Sequence, residues 1–237
     1  MTFMIAALII VAALFALNWR VAHAANTTSI AAALPQFLQL ALQPAYFFRA
    51  GIPALSGAAL VLLTWGMGAL KIMDYTDAQM YKKNVGLDFN LLQAVQNNWL
   101  PYWAWVTGAG LLAGIGVWTI GFWWYKKRLQ WSGASVVDAQ RLRRIYVLSE
   151  AWVLIAVVSY TLLSTLRYDN INAAWIGDHG ASTALIGTAY FFSLYVSYFA
   201  VTAAFPVRRG RALFWFFFFP LLPSYFDLLS IVARLHD

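Results

Sequence analysis

Five stretches of this chain are apolar for long enough to cross a lipid bilayer: Ile52 to Leu70, Pro101 to Trp124, Ile145 to Leu166, Ala181 to Phe205 and Ala212 to Ala233. An α-helix needs about 20 such residues to traverse a hydrocarbon core of about 30 Å. Three of the runs hold no charge at all, the third holds only Glu150 and the fifth only Asp227. A spanning segment must satisfy its backbone polar groups internally, so long unbroken runs of this kind commit the chain to helices. Composition points the same way: 62% of the 237 residues are hydrophobic and 11% charged, where a soluble domain has about 45–50% and about 25%. A water-soluble globule and a disordered chain are both excluded, because neither can be made with so little polar surface. The expected fold is an all-α polytopic transmembrane helix bundle, with five firm helices plus one or two N-terminal hydrophobic segments.

Charge and proline punctuate the runs. Lys71 with Asp74, Lys126-Lys127-Arg128, Arg167 with Asp169, Arg208-Arg209 with Arg211, and Arg234 close them in turn. Pro53 and Pro101 fall where the first helical turn has no use for an N–H, and Pro206 reads as a stop. Residues 1–24 read either as a signal peptide, ending in Ala22-His23-Ala24, or as a first transmembrane helix, since no basic residue precedes Phe3–Leu17. Residues 25–237 read as a single helical membrane domain. Within it Ile30 to Phe48 is apolar but broken by Pro35 and Pro44. Gln36, Gln39 and Gln43 share one helical face, which favours a tilted or interfacial helix over a full span.

Lysine and arginine in short loops stay in the cytoplasm during insertion. The loop 125–144 carries Lys126, Lys127, Arg128, Arg141, Arg143 and Arg144 against Asp138 alone, and the turn after Pro206 carries Arg208, Arg209 and Arg211. Nine of the sixteen basic residues therefore mark one side. The loops 74–100 and 167–180 are expected outside, together with the C-terminus, in a bacterial inner (plasma) membrane. Phe89, Leu91, Leu92, Val95, Trp99 and Leu100 recur at helical spacing in the first of these loops, predicting a short amphipathic helix on the outer surface. Trp99, Tyr102 and Trp103 are expected to anchor it at the interface. The net charge of +7 is thus accounted for by orientation, and no nucleic-acid partner is expected.

The residues that carry chemistry are few. The absence of cysteine and a total of three histidines leave no thiolate or bis-histidine site, so no metal and no cofactor is expected. Ionisable residues inside a bilayer are costly and mark ion or proton paths. Glu150 and Asp227 are the two candidates, with helix-end pairing as the ordinary alternative. Asp227 follows Pro220 and Pro223, which free backbone carbonyls around Phe216 and Phe219 and predict a kink. In the loop 167–180, Asp178 beside His179 is the one juxtaposition suited to general-base work, unaccompanied by any hydrolase or phosphate-binding motif. The hydroxyls of Thr161, Ser164, Ser193 and Ser197 read as interhelical or self-bonded groups, or as a polar path. Gly110-x-x-x-Gly114 predicts close helix packing against an unnamed mate.

Three functions follow as expectations. The first is a non-catalytic subunit of a larger membrane assembly, of a secretion, conjugation or respiratory type, whose partners are the lipid bilayer and other membrane subunits. The second is a small ion or solute transporter using Asp227 and Glu150. The third is an enzyme acting on lipid-linked substrates through Asp178 and His179; the missing motifs weigh against it.

Overall fold

A computed structural model describes residues 36–52, 55–84 and 93–222. The fold is all-α. Among the described residues there is no strand, and four helices are long and apolar enough to cross a membrane: Gly57–Met80, Trp99–Trp131, Ala139–Arg167 and Ala184–Ala204. These match the first four expected runs. The fifth, Ala212 to Ala233, is described only as far as Leu222, and residues 1–24 and Asp227 lie outside the described residues.

The helices run past the charges that were expected to end them. Helix α3 (Gly57–Asn84) follows two short helices, α1 (Gln36–Leu42) and α2 (Pro44–Ala50). It begins four residues after Pro53, because the Ser56 hydroxyl accepts the Ala59 N–H at 3.1 Å and starts the helix there. It then continues through Lys71 and Asp74, whose side chains lie 3.5 Å apart at i,i+3 spacing. After one turn, α4 (Gln93–Gln96), comes α5 (Trp99–Gly116), opened by Asn98 accepting from the Leu100 N–H at 2.9 Å. A π-helical turn, Val117–Gly121, joins α5 to α6 (Phe122–Trp131), so the expected loop 125–144 shrinks to 132–138. Helix α7 (Ala139–Arg167) and α8 (Ile171–Ala204) leave only 168–170 between them, where a loop through residue 180 was expected. Asn170 caps α8 by accepting from the Ala173 N–H at 2.9 Å. Charge ended the hydrocarbon-compatible stretch, but only a cap or a turn ends a helix.

Segment 36–50 does not form one helix. Pro44 cannot donate, so α1 stops at Leu42 and α2 restarts with Pro44 in its first turn. At seven residues α2 is about 10 Å long and cannot span. Leu40, Phe47 and Phe48 are buried, so the expected single helix is, among the described residues, two short helices with these side chains turned inward. Gly51 ends α2 with φ +136°, a conformation open to glycine.

Two compact units divide these helices. One comprises Leu55–Phe122 and Glu150–Tyr190; the other comprises Trp123–Ser149 with, among the described residues, 36–52 and 191–222. The first has a core of Leu70, Met73, Met80, Tyr102, Val106, Val157 and Ile171. Its closest packing is between α3 and α5. A methyl group at Gly68 would overlap the Gly110 carbonyl and the Gly114 backbone, lying 2.7 Å from the Gly114 Cα. The Gly110-x-x-x-Gly114 face thus finds its mate inside the chain, on α3. In the second unit Tyr125, Leu129, Leu142, Tyr195, Phe199 and Phe216 are fully buried, or nearly so, and the Tyr125 and Ser197 hydroxyls share a hydrogen bond of 2.7 Å.

The last described helix, α9 (Arg209–Leu213), widens into a π turn at Phe214–Phe218. The Phe219 N–H reaches back to the Phe214 carbonyl, and Pro220 follows at once. The kink expected from Pro220 is here a wide turn, which relieves the clash a proline ring makes with the carbonyl four residues earlier.

Candidate functional site

The first unit holds a polar cleft at the end of α3 that follows the apolar run. Asp74 and Asp77, one turn apart on α3, face it together with Tyr102 from α5 and Tyr160, Thr161 and Ser164 from α7; Met73 and Val157 supply apolar lining. The space amounts to about 500 Å³ counting its open mouth. Tyr102 is buried, and the Thr161 hydroxyl, which lines the cleft with it, donates to the Val157 carbonyl at 2.9 Å. Both carboxylates are exposed at the rim. Chemically the cleft offers two carboxylates and several hydroxyls over an apolar floor, a lining suited to a cation or a polyhydroxyl solute. Asp74 and Asp77, expected in the outer loop 74–100, lie on α3. Lys71, Asp74 and Asp77 recur every three residues, the signal that the helix, and with it a shared face, continues.

Beside the cleft, Trp99 donates from its indole N–H to the Tyr168 carbonyl at 2.6 Å and Trp103 donates to the Thr165 hydroxyl at 3.1 Å. These residues and buried Tyr102 therefore tie α5 to α7 and to the 168–170 turn. The indole donors of the expected aromatic anchor thus have acceptors within the chain. Tyr168 lies against Gly177, where a methyl would approach its ring at 2.8 Å.

The sequence candidates are dispersed. Glu150 is half-buried on α7, about three turns from its start. Asp178 and His179 belong to α8 rather than to a loop; successive helical positions lie about 100° apart around the axis, and these two side chains are outside the described residues. Hydroxyls on the spans mostly bond to their own helix. Thr64, Thr76, Ser149, Thr161, Thr165, Thr188 and Thr202 each donate to the carbonyl four residues earlier, at 2.7–3.0 Å. They are satisfied within their own helices, and of them Thr161 also lines the cleft. Among the described residues no group of three His, Cys, Asp or Glu side chains is placed to hold a metal.

The second unit joins the two basic segments. The Arg208 N–H donates to the Ser132 carbonyl at 2.9 Å, and the Arg208 stem passes over Gly133, which holds φ +103°. Arg128 reaches the π turn: its guanidinium lies 4.7 Å from the Phe216 ring centroid and 5.1 Å from that of Tyr125, with one N–H 3.4 Å from the Trp215 carbonyl. An aromatic wall adjoins it, Trp124 with Trp131 at 5.4 Å and Trp131 with Trp215 at 4.6 Å. Alternation alone placed these two basic segments on one side; the structure puts them in contact.

No protein-family model, curated protein or solved structure matches this chain.

Proposed function

We propose that this integral membrane protein is a non-catalytic subunit of a larger membrane assembly, of the secretion, conjugation or respiratory type, in a bacterial inner membrane with its basic end in the cytoplasm and its C-terminus outside. The observation that carries the reading is the uncovered surface of the spans. In Gly57–Met80, Trp99–Trp131 and Ala139–Arg167, 28–33% of the most apolar window is buried, against 50% in Ala184–Ala204. On α5 the face of Ala104, Gly108, Leu111, Leu112 and Ile115 is exposed, and a methyl group at Gly108 would meet nothing within 4 Å. Small residues of this kind let another helix approach closely, and the chain's own glycine pair is already used against Gly68.

The experiment is co-purification in mild detergent of the native protein and of an Ala104→Leu/Gly108→Leu variant. Both leucines enter open space, and leucine is better than glycine in a helix by up to about 1 kcal/mol, so the variant is expected to fold with unchanged or slightly raised thermal stability. Retained membrane partners are expected to fall at least tenfold. A native protein that purifies alone as a functional monomer overturns the reading, and an undiminished partner set in the variant removes this face from it.

The cleft favours a second reading, passage of a cation or small solute, which shifts the candidate residues from Glu150 and Asp227 to Asp74 and Asp77. Asp77→Asn is then expected to abolish flux in reconstituted vesicles while the protein still accumulates; unchanged flux sinks it.

A further inference from the structure

We propose that the cleft of the first unit binds an organic ammonium ion, a protonated primary amine carried on a small apolar body. The inference rests on the second reading above, in which the cleft serves a cation or small solute, and names the class of that ligand. Charge at the rim is the first observation. Asp74 and Asp77 line the cleft and, among the described residues, no basic residue does. Lys71 offsets Asp74 at 3.5 Å, whereas Asp77 has no hydrogen-bond or ion-pair partner among the described residues. The second observation is independent of the acids. Ser164 is 3% exposed and lines the cleft, and among the described residues nothing bonds to its hydroxyl. Its neighbours Thr161 and Thr165 each donate to the carbonyl four residues earlier; Ser164 does not. A hydroxyl buried without a partner is costly, and a polar ligand in the cleft would satisfy it.

The chemistry of the lining selects the ligand. Thr161 already donates its proton to the Val157 carbonyl at 2.9 Å, so toward the cleft it can only accept. A primary ammonium has three donors and no acceptor, and Asp77, Thr161 and Ser164 are acceptors on one cleft. An inorganic ion fits poorly. Calcium takes about six to eight oxygen ligands, and among the described residues no group of three His, Cys, Asp or Glu side chains is placed to hold a metal. Val157, Ile171 and Ile186 instead present hydrocarbon, and Tyr102, Tyr160 and Trp175 present aromatic rings, which favour an ammonium and the apolar body attached to it. A neutral polyhydroxyl solute would leave the Asp77 carboxylate without a counter-charge. The space of about 500 Å³ with its open mouth falls in the range of small-molecule sites, roughly 300–1,000 Å³.

The test is calorimetric titration of the full-length protein in dodecyl maltoside with n-butylammonium chloride and with n-butanol, which keeps the body and replaces the ammonium by a neutral hydroxyl. Butylammonium is expected to bind one to one, about tenfold or more tighter than butanol, and not to be displaced by equimolar calcium chloride. Asp77→Asn is expected to weaken the amine about tenfold or more and Ser164→Ala about threefold, with butanol unaffected by Asp77→Asn. Absence of amine binding, equal binding of amine and alcohol, displacement by calcium, or a folded Asp77→Asn or Ser164→Ala protein that holds the amine as tightly as wild type overturns the proposal. Should the variants fail to fold, the comparison of amine with alcohol on the unaltered protein decides. Amine that binds but does not cross the membrane of reconstituted vesicles removes the passage reading alone; inorganic-cation flux that Asp77→Asn abolishes, without amine binding, removes this proposal alone.

Discussion

Gly68→Leu is expected to eliminate the folded protein, and Gly68→Ala to cost about 3 kcal/mol or more, at the upper end of what overpacking usually does. The obstruction is backbone, which cannot rotate away as a side chain can. Even the first added carbon overlaps the Gly110 carbonyl and the Gly114 backbone, so α3 and α5 must separate along their length. Separation exposes the Leu70, Met73, Tyr102 and Val106 core between them and breaks the Trp65 indole bond to the Thr107 carbonyl, 3.0 Å long. Gly66 on the same helix is an internal control. Its added methyl meets the tip of Leu154 at 2.7 Å, a flexible group that can shift, so Gly66→Ala is expected to be much milder. Thermal unfolding in detergent, followed by circular dichroism, ranks the variants. A Gly68→Ala protein as stable as Gly66→Ala would refute the backbone contact.

The same glycines show where the sequence could be read and where it could not. Gly110-x-x-x-Gly114 announces close approach because the missing Cβ is a property of those positions alone. The identity of the mate depends on Gly68, more than forty residues away, and nothing local to either segment records the pairing. Charge misled in a related way. Lys126, Lys127 and Arg128 limit how much of a helix lies in hydrocarbon, and that limit was legible; whether the backbone then unwinds depends on caps such as Asn170 and Ser56, which weigh only about 1 kcal/mol each. Helix α8 therefore absorbs Asp178 and His179, and α3 absorbs Asp74 and Asp77, creating a cleft that a loop reading concealed. Trp99 and Trp103 were ambiguous for a third reason. An indole at a helix start suits a headgroup layer as well as it suits a neighbour's carbonyl, and only the fold supplies the Tyr168 carbonyl and the Thr165 hydroxyl.

Tyr125→Ala is expected to be the most damaging substitution in the second unit, costing about 3–5 kcal/mol as buried aromatic truncations do. Its ring is 1% exposed, meets Phe216 edge-on at 4.9 Å and Tyr146 at 5.0 Å, and lies under the Arg128 guanidinium. Removing it opens a cavity and strips Arg128 of half its aromatic cradle at once. Tyr125→Phe separates the contributions. The ring and its cation–π contact remain, while the buried 2.7 Å bond to Ser197 is lost, leaving an orphaned hydroxyl at a cost of about 1–3 kcal/mol. Ser197→Ala in the Tyr125→Phe background removes the orphan as well and is expected to recover part of that loss, since two apolar groups of the same shape satisfy each other. With Ser197→Ala alone and the wild type, the Tyr125→Phe and double-variant unfolding midpoints complete a four-cornered cycle that tests the pair directly. If Tyr125→Phe is as stable as wild type, the hydroxyl bond contributes nothing; if it is as damaging as Tyr125→Ala, the aromatic packing around Phe216 and Arg128 contributes little. Either result would break the account of how α6 is fastened to the π turn.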